Sequence, residues 1–145
     1  MGRLVALMLF MVAMAGYGQS GPETTSTRSD EFETLAEKVE FLERYVTFDR
    51  TYHSLDYVID YFDGGRGMLP APSEWDIRIV AVVPKDELGQ WSSELHTSEP
   101  FDIGWVESVG VTINHFELER WYCKGDIEVA VDEDNSTVIY RNVAI

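Results

Sequence analysis

Asp56 and Asp60 stand four residues apart in the run SLDYVIDYFD. Two carboxylates at such a spacing invite general acid and base work on a glycosidic or ester bond. On a strand they would share a face but lie about 13 Å apart at 3.3 Å per residue, beyond the roughly 5–9.5 Å that a glycosidase pair spans. Each is thus a candidate binding residue, or a catalytic one only with a carboxylate from elsewhere such as Glu117 or Glu119. Asp132, Asp134 and Ser136 alternate in DEDNS and offer hard oxygens of the kind calcium takes. An EF-hand would need Gly and Glu where Thr137 and Val143 stand, so the run reads as a polar turn and these three residues remain weak metal candidates.

The single thiol, Cys123, would need a general base, and His53, His96 and His115 are the only histidines; no spacing sets one beside it. Next to Trp121 and Tyr122 it reads as a small buried hydrophobe, with an intermolecular bridge or nucleophilic chemistry as the alternative. Trp121 and Tyr122 must face opposite sides of a strand, which sends one ring outside the main core and makes Trp121 a candidate binding residue. Met68 and Leu69, apolar side chains in a Gly- and Pro-bounded loop, are candidates for docking into a partner or for folding back onto the core. Gly64, Gly65 and Gly67 are not followed by Gly-Lys-Ser/Thr, and no Gly-x-Ser-x-Gly elbow occurs. No motif calls for a cofactor.

These residues sit in a chain of 145 with 11 Lys plus Arg against 26 Asp plus Glu, a formal charge of −15. Such a surface repels phosphate backbones and anionic lipid, which disfavours nucleic-acid and electrostatic membrane partners. The 45% apolar and 12% aromatic content is too high for a disordered chain, and the length suits a single domain. With one cysteine no internal disulfide can form, so stability must come from packing.

At the N-terminus Arg3 precedes an uncharged run from Leu4 to Ala15 and then small residues, the pattern of an export signal over 1–18. As a helix that run would cover about 18 Å, short of the about 30 Å of a bilayer core, so no membrane span is expected once it is cleaved. Cleavage after Ala15 and cleavage after Gly18 both satisfy the small-residue rule. Met14-Ala15-Gly16-Tyr17 resembles the end of a bacterial lipoprotein signal, with Tyr17 in the place of the lipidated cysteine. The resemblance implies a bacterial-type signal into the periplasm or the medium, without a lipid anchor.

Residues 19–29 are polar, with Ser, Thr, Gly and Pro and no apolar period, and read as a flexible linker before a domain over 30–145. Phe32, Leu35, Val39, Leu42 and Val46 recur at three and four, which predicts a helix from Asp30 to about Val46 capped by Asp30 with Glu33. Alternation over 52–62 and the β-branched run 75–83 predict two strands. A short helical turn with Leu88 and Trp91 at i and i+3 is expected over 85–94, a loop over 96–104, and a strand bent at Gly110 over 105–119. The runs DIEVAV and TVIYRNVAI around DEDNS make a hairpin.

The order points to an α+β fold, one N-terminal amphipathic helix packed on an antiparallel sheet of four to five strands, and resembles the cystatin/NTF2-like superfolds in outline. The cystatin inhibitory signature is absent, and a superfold fixes no function. The expected function is an exported, non-enzymatic binding module for a protein, peptide or small ligand of the cell envelope. A small secreted hydrolase using carboxylates and a histidine is the alternative.

Overall fold

The computed structural model describes residues 23–64, 73–113 and 116–144. Met68, Leu69, His115 and the proposed export signal lie outside them. The elements are β1 (Glu23–Arg28), α1 (Leu35–Leu42), β2 (Ser54–Asp63), β3 (Glu74–Val82), β4 (His96–Thr97), β5 (Arg120–Lys124), β6 (Ile127–Asp132) and β7 (Thr137–Ala144). Three 3-10 turns, Ser29–Glu31, Lys85–Trp91 and Gly104–Val109, lie between these elements.

All seven strands form one antiparallel sheet in the order β1-β2-β3-β7-β6-β5-β4. Two meanders, one of the first three strands and one of the last four, meet along the β3–β7 pair, which runs from Trp75 opposite Ala144 to Val82 opposite Thr137. Period-two alternation sorts the side chains. One face carries Leu55, Tyr57, Ile59, Ile77, Ile79, Val129, Val138 and Tyr140, and α1 through Leu42 and the Lys85–Trp91 turn through Leu88 and Trp91 close over it. The opposite face carries Val58, Val80, Ala130 and Ile139 beneath Val106 and Val109, with Phe101, Trp105, Phe116 and Trp121 around them. Both faces are therefore covered, one by a helix and a turn and the other by the irregular stretch between β4 and β5.

This overturns the expected single helix on four to five strands: the protein is mostly a seven-stranded antiparallel sheet with few helices. The stretch expected as a linker contains β1. Its sequence, ETTSTR, is rich in β-branched threonine, and as an edge strand it is exposed over most of its length, so no apolar period marks it. The helix is shorter than the apolar spacing suggested. Thr34 accepts from the Glu37 amide at 3.2 Å while Glu37 accepts from the Thr34 amide at 2.9 Å, and this box displaces the start from Asp30. Phe32 and Val46 still reach the core, but from residues that flank α1. The strand expected over 105–119 is instead a 3-10 turn ended by Gly110 at φ +89, a conformation open to glycine, and the strand itself lies later, over Arg120–Lys124.

Candidate functional site

Three carboxylates on the second face, Asp56, Asp60 and Asp76, are each matched to a cation. Asp56 accepts from Lys38 Nζ at 3.1 Å and from the Ser29 hydroxyl at 3.3 Å. Asp60 is hydrogen-bonded by Arg78, which also donates to the Ser108 hydroxyl at 3.0 Å. Asp76 takes both Nε and Nη2 of Arg141, at 3.1 and 3.0 Å, in a two-pronged pair. Arg28 donates to the Ser108 carbonyl at 2.8 Å, so these charges fasten the Gly104–Val109 turn to the sheet. A shallow hollow of about 260 Å³ opens beside them, lined by Asp60, Phe62, Trp75, Asp76 and Val143.

The other sequence candidates are spent in similar ways. Trp121 meets Phe101 edge to face at 4.7 Å and belongs to the second core, while Tyr122 packs on the first, so both rings of this pair find apolar cover. Asp132 is fully buried and accepts from the Asn135 amide at 2.9 Å, the Asn135 side chain at 2.8 Å and the Glu117 amide at 3.0 Å. Burial alone would raise its pKa, but these donors outweigh it and hold the carboxyl below its usual value. Both its oxygens are taken, Asp134 is exposed, and Ser136 is the left-handed residue of the hairpin turn at φ 52. Among the described residues no group of three or more His, Cys, Asp or Glu is arranged to hold a metal ion. Cys123 is half-buried and directly opposite His96 in the β4–β5 ladder, yet no side-chain hydrogen bond joins them, and His53 and His96 are both exposed without a carboxylate partner among the described residues.

One place where buried polar groups are left wanting is a segment that sequence reasoning missed. After α1 the chain turns through Asp49 at φ 51 and runs back as Arg50-Thr51-Tyr52 alongside the Lys85–Trp91 turn. Arg50 is clamped by Gln90, with Nη1 on the side-chain oxygen and Nη2 on the carbonyl at 2.9 Å, and its guanidinium lies 5.9 Å from the Trp91 ring centre. The Thr51 amide donates to Glu87 at 3.1 Å and the His53 amide to the Val82 carbonyl at 2.7 Å. Tyr52 is thereby pressed against Trp91, ring centres 6.2 Å apart, and is only 8% exposed.

Between this stapled segment and α1 lies an open groove of about 610 Å³, lined by Leu35, Ala36, Val39, Glu40, Glu43, Arg50 and Tyr52. The Tyr52 hydroxyl and Arg50 Nε are buried and find no hydrogen-bond partner among the described residues. Burial, reinforced by Glu43, pushes the Tyr52 hydroxyl well above the usual phenol range, so it stays protonated and able to donate. A buried donor left without an acceptor costs about 1–3 kcal/mol, and Arg78 Nε, Trp91 Nε1 and Trp105 Nε1 share that condition among the described residues. The apolar wall from α1 beside the charged Glu40, Glu43 and Arg50 suits a small amphipathic molecule. The only sequence signal here is the alternation Phe48, Arg50, Tyr52, too short to stand out, and the Gln90–Trp91 partner lies far along the chain. Comparison with family models, with curated proteins and with solved structures finds no match to this chain.

Proposed function

We propose that this protein is an exported, non-enzymatic binding module whose ligand occupies the groove between α1 and Arg50–Tyr52. The observation that carries the site is the open groove of about 610 Å³ with its apolar wall of Leu35, Ala36 and Val39. The binding class is supported by the carboxylates on the sheet, because Asp56, Asp60 and Asp76 each sit in an ion pair that a general acid or base would have to break. Export rests on the Arg3, Leu4–Ala15 and Gly18 pattern alone.

Leu35→Lys tests the site directly, because Leu35 is 36% exposed and the change leaves the core intact. A panel of small amphipaths is followed by amide chemical shifts on the chain without its first 18 residues. Ligand-induced shifts clustering on Leu35–Glu43 and Arg50–Tyr52, and lost in Leu35→Lys, are the expected result. Shifts clustering instead beside Asp60 and Trp75 would overturn the assignment and move the site to the hollow there.

A further inference from the structure

β1 is open along one side. It pairs with β2, and no strand among the described residues lies beyond it. Residues of an antiparallel ladder turn their backbone groups alternately toward the partner strand and away from it. The Arg28 amide donates to the Glu31 carboxylate at 2.7 Å instead of to β2, so Arg28, Ser26 and Thr24 turn outward while Thr27, Thr25 and Glu23 bond to Ile59, Tyr61 and Asp63. The same phase follows from the middle of the sheet. There the Val83 amide donates to the Ser136 carbonyl at 3.0 Å, which assigns odd residues of β3 to β7, even ones to β2, and odd residues of β2 to β1. Glu31 closes the edge at its Arg28 end. The backbone groups of Thr24 and Ser26 remain, with no outward hydrogen-bond partner among the described residues.

We propose that this edge accepts an added strand from a basic partner, an extended segment carrying Lys or Arg, bonded through Thr24 and Ser26. The surface is independent of the groove at α1. Main-chain bonds alone would accept any extended chain, and charge narrows the choice. Glu23 is exposed and has no cation partner among the described residues, so a cation directly across from it on the added strand would form an opposite-charge pair. Thr24, Phe62 and Glu74 are register partners in one file across β1, β2 and β3, and all three line the hollow of about 260 Å³. Glu74 also lacks a cation partner among the described residues. A Lys or Arg paired with Thr24 would start two strand spacings, about 10 Å, from Phe62, so its alkyl stem covers that ring and its charge points toward Glu74. Asp60, opposite Ser26, is already held by Arg78, which places the cations at the Glu23 and Thr24 end. A second copy of this chain fits poorly, because it brings another −15 and its own β1 offers only Arg28, engaged by Ser108 and Asp30.

Amide hydrogen exchange on the full chain at pH 7 tests this with three end-blocked peptides: Thr-Thr-Lys-Lys-Thr-Thr, its Glu-Glu counterpart, and the Lys-Lys peptide with every amide N-methylated. In the free protein the Thr24 and Ser26 amides should exchange faster than those of Thr25 and Thr27. The Lys-Lys peptide at about ten times its Kd should slow Thr24 and Ser26 about tenfold, and the other two peptides should not. Ser26→Pro removes one outward donor and no bond to β2, and should weaken the Lys-Lys peptide about tenfold while Thr25 and Thr27 stay protected. Equal slowing by the N-methylated peptide, or an undiminished effect in Ser26→Pro, would mean attraction to an acidic surface without strand addition and would overturn the proposal. Equal slowing by the Glu-Glu peptide overturns the basic partner, and no slowing by the Lys-Lys peptide at millimolar concentration overturns the site. Slow exchange at Thr24 and Ser26 in the free protein would show the edge already covered, by a second copy where it depends on protein concentration and by the chain itself where it does not, and either result also overturns it.

Discussion

Asp132 concentrates in one side chain what a buried carboxylate needs in order to stay ionised. Its three donors come from its own turn and from Glu117, so the group ties the β6–β7 hairpin to the stretch leading into β5. With the folded pKa held below the unfolded value, its contribution to stability is fully present above the unfolded pKa, about 3.9, and is lost as the pH falls through the lower, folded one. Replacing Asp132 with Ala leaves those donors facing a buried void and should cost about 3 kcal/mol in urea unfolding at pH 7. Asp132→Asn should lose most of the acid-dependent part of that stability between about pH 5 and pH 3. A wild-type curve no steeper over that range than the Asn variant's would show that the carboxylate is not held ionised. The polar turn was legible from DEDNS, because Asp and Asn tolerate such backbone angles. The Glu117 contact was not, since nothing in the spacing says which distant amide a turn carboxylate will meet. Arg50 and Tyr52 were hidden for the same reason: their burial is created by Gln90 and Trp91, which lie some forty residues on.

Elements differ in how openly they declare themselves. β2, β3 and the β6–β7 hairpin could be read because each buries an apolar row, and that burial writes a period of two. β1 and β4 are edge strands held mainly by backbone pairing, and backbone hydrogen bonds leave no trace in side-chain type. The stretch over 105–119 misled because Val106, Val109, Val111 and Ile113 are buried or packed against the second core from an irregular segment, which needs apolar residues as much as a strand does. At α1 two capping boxes competed, Asp30 with Glu33 and Thr34 with Glu37, and only the second closes. Thr34→Ala should therefore lower stability by about 1 kcal/mol, whereas Asp30→Ala should change it by less than half as much. Equal losses in chemical denaturation would mean that the helix begins upstream of Leu35. Since Leu35, Ala36 and Val39 form one wall of the groove, the Thr34 variant should also weaken any ligand bound there.

At the scale of the whole molecule, charge and fold pull in opposite directions. A formal charge of −15 on 145 residues raises the energy of any compact state, and the few cations are used sparingly, with Arg78 and Arg141 placed where strands bring Asp60 and Asp76 together. The acidity could be read from composition, but the sheet order could not, because the central β3–β7 pair joins segments some sixty residues apart and depends on the chain crossing from one meander to the other. Salt separates the two electrostatic contributions. Diffuse repulsion between exposed carboxylates is screened within a Debye length of about 8 Å at 0.15 M salt, whereas the Arg78 and Arg141 pairs are part-buried and feel that screening less. The melting temperature should therefore rise when sodium chloride is raised from about 10 mM to about 0.15 M at pH 7. Repeating the scan on Arg78→Leu should keep the same upward slope from a lower starting temperature, since the variant loses a specific pair and adds to the net negative charge. A wild-type melting temperature that fell with salt would show that exposed ion pairs outweigh the repulsion.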